Sequence, residues 1–194
     1  MADGETPPLD FHALEPDRWD DLEALFGARG ACGGCWCMWW RITRREFDEN
    51  GSTGNRRAFK TLVEEGAAPG VLAYANDQAI GWCAVAPRED YGALQRSRVL
   101  RRLDEKPVWS LVCLFVLRRW RGRGIAHALV EAAARHVKAR GGKLLEAYPT
   151  APRGRRLPGV STFMGFPDLF EACGFEVCAR PSPARVIMRR TLDR

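Results

Sequence analysis

The residues best suited to chemistry form a short basic loop, Arg121-Gly122-Arg123-Gly124-Ile125-Ala126. The loop follows an apolar run that predicts a buried strand, and it precedes a helical pattern. The first turn of a helix leaves backbone N–H groups without partners, and the helix dipole adds partial positive charge there. Gly122 and Gly124 carry no Cβ, so the backbone can approach a ligand closely. Together with Arg119, which adds positive charge, these features predict a phosphate-binding loop.

Two other phosphate-binding patterns can be tested against the same residues. The P-loop needs Gly-Lys followed by Ser or Thr, and no such run is present. The dinucleotide pattern Gly-x-Gly-x-x-Gly needs a third glycine where His127 stands. The loop therefore matches neither pattern in full.

The elements that position this loop follow from hydrophobic periodicity and from turn residues. Helices are predicted at residues 17–27, 55–65, 124–140 and 167–173, and strands at 71–75, 78–86, 109–117, 143–148, 175–178 and 185–189. The unit from 109 to 148 has the layout of a strand–helix–strand crossover between parallel strands. The order predicts a mixed α/β domain over residues 11–194, preceded by a flexible tail at residues 1–10.

The loop, within this order of elements, resembles the Arg/Gln-x-x-Gly-x-Gly/Ala signature of the GNAT superfamily of N-acetyltransferases. The resemblance covers residues 70–190 in element order and includes a short helix that ends in Gly174-Phe175. It implies an α/β, GNAT-like fold: a central, mixed, mostly antiparallel and twisted sheet, flanked by helices, with a splayed pair of parallel strands. The stretch Gly34-Cys35-Trp36-Cys37-Met38 also resembles an N-terminal motif of one uncharacterised subgroup.

The resemblance implies acetyl-CoA as the cosubstrate and direct attack of a primary amine on its thioester. The amides of Arg121, Gly122, Arg123, Gly124, Ile125 and Ala126 would hold the pyrophosphate. Backbone groups of Leu114, Phe115 and Val116 would bind the pantetheine arm, and Arg118 and Arg119 are candidates for the adenosine phosphate. The acceptor would be an amine on a small molecule or a protein, and a homodimer is a possible assembly.

The catalytic groups do not follow from the loop itself. In many members of the family a tyrosine four residues before the Gly-Phe pair protonates the leaving sulfur, and Phe170 stands at that place here. Tyr148 and Cys173 are substitutes, although Tyr148 can equally be a packing residue. Glu146 is a candidate base, because a carboxylate inside an apolar strand is costly unless it is paired or faces a cleft. Alternatively it points to solvent at a strand edge, and water relays the proton.

The cysteines at 32, 35 and 37 have a spacing that could ligate zinc, but no obvious fourth ligand follows. We therefore predict no metal site and interpret Trp36, Trp39 and Trp40 as a wall on the acceptor side, with a place in the core as the alternative.

The composition of the chain restricts the number of domains, the kind of ligand and the location that we expect. The chain has 194 residues, a net charge of +6 and 46% hydrophobic residues, which suits one domain and an anionic ligand. It contains no apolar stretch long enough for a membrane helix, no secretory signal and no recognition motif for nucleic acid. Its seven cysteines, several in apolar runs, predict reduced thiols and a cytoplasmic location. A non-catalytic CoA-binding or sensing module remains the alternative function, because the usual tyrosine is missing.

Overall fold

A computed structural model describes residues 7–151 and 163–192, which build one seven-stranded sheet. The strands are β1 (Leu9–Ala13), β2 (Gly70–Ala75), β3 (Gln78–Pro87), β4 (Trp109–Val116), β5 (Leu144–Ala147), β6 (Glu176–Ser182) and β7 (Arg185–Thr191). The helices are α1 (Trp19–Phe26), α2 (Arg44–Glu64), α3 (Gly92–Gln95), α4 (Ile125–Ala139) and α5 (Pro167–Ala172). Short 3-10 turns lie at Pro16–Arg18, Arg88–Asp90 and Arg118–Trp120.

The strand order across the sheet is β1-β2-β3-β4-β5-β7-β6. Among the described residues β4 and β5 form the one parallel pair, and the other neighbouring strands run antiparallel. Helix α4 makes the crossover between the parallel strands, as the strand–helix–strand pattern predicted. The predicted fold class, a mixed α/β domain with a mostly antiparallel sheet flanked by helices, is confirmed.

Each face of the sheet carries its own apolar core. Helices α1 and α2 cover one face, where Leu22 and Phe59 are buried beside Trp82 of β3. Helix α4 covers the other face with Leu129 and Val137, at the spacing that the sequence predicted for its packing side. The sheet thus separates two layers of helices.

Two elements at the N-terminal end differ from the sequence-based expectation. Strand β1 begins at Leu9, so residues 9 and 10 pair with β2 and are not part of the predicted tail; residues 1–6 lie outside the described residues. Helix α2 begins at Arg44, well before residue 55, and is kinked at Gly51. Its first half is polar, so it carries no apolar periodicity that would reveal it. A capping box between Thr43 and Glu46 starts it.

None of the helices in residues 7–151 and 163–192 has both the length and the apolar character needed to cross a bilayer.

Candidate functional site

The basic loop lies at the N-terminus of α4, where the sequence placed it. Gly122 and Gly124 have φ values of +78° and +74°, a left-handed conformation that favours glycine. A Cβ added at either glycine would meet no atom within 4 Å, so the space next to both is open. Helix α4 begins directly after Gly124, so the N–H groups of its first turn, which lack partners within the helix, belong to the same segment as this open space. The loop therefore has the backbone, the room and the dipole that a diphosphate requires.

The three arginines of this region have different surroundings. Arg121 donates from Nε to the carbonyl oxygen of Val116 at 2.9 Å, which ties the loop to the end of β4. Arg119 donates to Gln78 at 2.7 Å, at the start of β3. The guanidinium of Arg123 lies 5.2 Å from the Trp120 ring centroid. All three side chains belong to exposed residues, so they add positive charge around the loop as predicted.

Strands β4 and β5 separate beside this loop. Their parallel pairing ends at Leu111 and Ala147, whereas β4 continues to Val116. The last part of β4 therefore has an edge without β5, which is the splayed pair that the family resemblance implied. The N–H of Leu114 on this edge donates to the carbonyl oxygen of Phe163 at 2.6 Å. A pantetheine arm that used the Leu114 amide would have to replace Phe163 as its partner.

The residue at the family's usual tyrosine position is a core residue. Phe170 of α5 is fully buried and packs edge-on against Phe175, with ring centroids 5.2 Å apart. It has no hydroxyl and no access to the cleft, so it cannot donate a proton to a leaving thiolate.

Glu146 lies in a buried ionic cluster. Its side chain is 1% exposed and contacts Arg88 at 3.1 Å and Arg189 at 2.7 Å. Arg189 also pairs with Asp104, and Arg88 donates to the carbonyl oxygen of Leu100. The alternative that Glu146 points to solvent is therefore wrong: the carboxylate is paired, as the cost of burying it demands. Sequence reasoning missed Arg88 and Arg189, because only the fold brings them to Glu146.

Tyr148 belongs to the same cluster and is also fully buried. Its hydroxyl donates to Glu146 at 2.6 Å, accepts from Arg88 at 2.6 Å and lies 2.6 Å from the Ser110 hydroxyl. Burial, and then the negative charge of Glu146, raise the pKa of Tyr148 well above its ordinary value. The hydroxyl thus stays protonated and saturated with partners. Neither Glu146 nor Tyr148 reaches the surface, and their catalytic roles stay predictions.

The three closely spaced cysteines have separate environments. Cys32 is exposed, and Cys35 donates to the carbonyl oxygen of Gly30 at 3.5 Å. Cys37 is buried and accepts a hydrogen bond from Trp82 at 3.0 Å. The neighbouring Cys113 thiol of β4, and then the Trp82 bond, lower the pKa of the Cys37 thiol. Cys37 and Cys113 pack in the same apolar core, which brings the N-terminal segment next to β4.

The tryptophans nearby divide between core and surface. Trp36 is 2% exposed and stacks on Trp19 at 6.1 Å, so it belongs to the core. Trp39 is 42% exposed and meets Phe47 edge-on at 5.2 Å. The predicted aromatic wall is thus reduced to Trp39 and the half-buried Trp40.

One group within the described ranges could hold a metal ion. The ligand atoms of His127, Glu131 and Cys173 lie within 4.8 Å of one another, between α4 and the end of α5. Glu131 already pairs with Arg190 at 2.6 Å, so an ion would have to share its carboxylate. Burial, and then Glu131, raise the pKa of the Cys173 thiol to about 11. Metal binding at this group would therefore have to release the proton of the Cys173 thiol.

Comparison with known proteins agrees with this geometry. The profile of the acetyltransferase (GNAT) family matches residues 36–157. Arylalkylamine N-acetyltransferase 2 from Aedes aegypti is similar in structure, with a TM-score of 0.59, 14% identity, and coverage of 95% of this chain and 99% of that one. PaiA N-acetyltransferase from Thermoplasma acidophilum, in complex with coenzyme A, has a TM-score of 0.53, 12% identity, and coverage of 95% and 99%.

A GNAT-family acetyltransferase from Streptococcus agalactiae has a TM-score of 0.56, 14% identity and 96% coverage of both chains. At these identities the similarity shows the fold alone. No curated protein sequence matches the chain.

Proposed function

The chain belongs to the acetyltransferase (GNAT) family, and on that premise we propose that it transfers an acetyl group from acetyl-CoA directly to a primary amine. The observation that carries this proposal is the open, left-handed loop at Gly122 and Gly124, at the N-terminus of α4. The family membership supports acetyl transfer, and a solved relative bound to coenzyme A supports the donor.

The residues of this chain have defined tasks in the proposed reaction. The amides of residues 121–126 bind the diphosphate, and the part of β4 beyond its pairing with β5 guides the pantetheine arm, which takes the place of Phe163 at the Leu114 amide. Bound acetyl-CoA supplies the activated acyl group. Holding donor and acceptor together contributes much of the rate.

The test is release of free CoA thiol when acetyl-CoA is mixed with a panel of primary amines. Activity with at least one amine, together with a product heavier by one acetyl group, supports the proposal. Acetyl-CoA binding measured by calorimetry, with no turnover of any amine, contradicts it.

The second candidate function is a non-catalytic CoA-binding or sensing module. The buried Phe170 at the usual tyrosine position favours it, as do the buried side chains of Glu146 and Tyr148. The turnover assay with the wild-type protein separates the two functions. A sensor binds acetyl-CoA but acetylates no amine, whereas an enzyme that uses another acid releases CoA thiol with at least one amine.

A further inference from the structure

A large groove lies on the α2 side of the sheet, between residues 38–42 and α2. Its volume is about 800 Å³. Much of its wall is apolar and includes Met38, Ile42, Ala58 and Leu62. A volume of this size holds a small organic molecule with an apolar body.

The charged residues that line this groove are two arginines, Arg41 and Arg57, and one carboxylate, Asp90. The Arg41 side chain is only 6% exposed and rests over the Tyr91 ring, 4.7 Å from its centroid. The nearest carboxylate oxygen, of Asp90, is 3.9 Å from Nη1, which is too far for a hydrogen bond. The buried Nε of Arg41 has no hydrogen-bond partner within the described part of the chain. Arg57 is exposed, and among the described residues it makes no ion pair.

Within residues 7–151 and 163–192, the guanidinium of Arg41 therefore lacks a full set of hydrogen-bond partners. A buried guanidinium is costly unless its donors are satisfied, and its planar fork matches carboxylate and phosphate groups. Arg41 and Arg57 contribute two positive charges to the groove, and Asp90 contributes one negative charge. The groove therefore favours an anionic group that bonds to Arg41, next to an apolar body.

The groove lies on the same face of the sheet as the side chain of Cys113 on β4. Met38 lines the groove, and Met38, Cys37 and Cys113 pack in one apolar core. Cys113 lies just beyond Leu111, where β4 loses β5 as its neighbour. The groove and the part of β4 beyond β5 therefore border one apolar core.

We propose that this groove binds the acceptor, and that Arg41 and Arg57 bind a carboxylate or phosphate group on it. The acceptor is then an amine that carries an anionic group next to an apolar body. This assignment rests on the proposed acetyl transfer, but the binding site itself can be tested without turnover.

The experiment compares matched acceptors that differ in the negative charge. The pairs are L-leucine and L-leucinamide, 6-aminohexanoate and 6-aminohexanamide, and phosphoethanolamine and ethanolamine. We expect at least one anionic member to have a kcat/KM at least tenfold above its neutral partner. A preference within the first two pairs identifies a carboxylate site, and one within the third identifies a phosphate site. Equal values in all three pairs overturn the proposal.

Three variants then test whether Arg41 and Arg57 cause the preference for anionic acceptors. Arg41→Gln and Arg57→Gln should reduce the anionic preference at least fivefold, whereas Arg45→Gln, an exposed residue of α2 outside the groove, should keep it. Arg57 is exposed, so its variant folds even if Arg41→Gln does not. A preference that survives in every folded groove variant overturns the assignment.

A binding measurement separates this proposal from the proposed function. If no amine is acetylated, calorimetry with the same pairs still tests the groove. Binding of an anionic member that is lost in Arg57→Gln supports the site while the acetyl-transfer proposal fails. Acetylation without any charge preference supports the function while the site proposal fails.

Discussion

The substitution Gly124→Asp tests the diphosphate site most directly. Gly124 precedes α4 with φ +74°, and no atom lies within 4 Å of an added Cβ. The substitution should therefore lower the free energy of unfolding by only about 1 kcal/mol, which is the cost of a left-handed conformation for a residue other than glycine. The helix dipole offsets part of this loss. A bound diphosphate would meet a new carboxylate. Two negative charges about 5 Å away cost about 1.7 kcal/mol even with the screening of bulk water, or about fifteenfold in Kd.

Gly141→Asp is the matched control. Gly141 follows the other end of α4 with φ +81°, and again no atom lies within 4 Å of an added Cβ. Both variants should keep a cooperative thermal transition close to that of the wild type. Titration calorimetry with CoA should show affinity lost only in Gly124→Asp. Equal Kd values for the wild type and both variants would refute diphosphate binding at this loop.

Two further predictions concern stability. Glu146→Ala leaves Arg88 buried without a carboxylate partner, while Arg189 keeps Asp104, and it should lower the free energy of unfolding by about 3–5 kcal/mol in urea titrations; the exposed control Glu49→Ala should change it little, and an equal loss in both would contradict the role of the cluster. His136 is expected to make stability depend on pH, because burial lowers its pKa from 6.5 to about 4. Between those values the unfolded chain binds a proton that the folded chain does not, so stability should fall as pH drops from 6.5 to about 4. His136→Asn should flatten this slope, and an unchanged slope would show that another group causes it.

The sequence predicted most of the fold because its central elements have strong periodicity. Helix α4 and strand β4 are apolar at regular spacing, and Gly141 ends the helix as predicted. Strand β1 and the first half of α2 were missed, because β1 is short and the start of α2 is almost entirely polar. Their positions depend on tertiary contacts: β1 pairs with β2, and Asn55 of α2 bonds back to the carbonyl oxygen of Gly34.

The phosphate-binding loop could be predicted from the sequence, because it depends on local conformation alone. The loop around Gly122 and Gly124 needs only glycines, a preceding strand and a following helix. The partners of Glu146 could not be predicted, because Arg88 and Arg189 are 58 and 43 residues away in sequence. The Arg41 groove could not be predicted either, since its walls come from separate segments that meet only in the folded chain.

The buried cluster gives a physical reason for where the strands separate. Ser110 pairs with Glu146 across β4 and β5, and the next pair, Leu111 with Ala147, is the last. The hydroxyl of Tyr148, one residue further, bonds to both Ser110 and Glu146. A saturated polar cluster resists displacement, because each lost bond leaves a buried polar group unsatisfied. Glu146 and Tyr148 thus hold the last paired residues of β4 and β5 rigidly. The part of β4 without β5 therefore starts at a fixed position relative to the phosphate-binding loop.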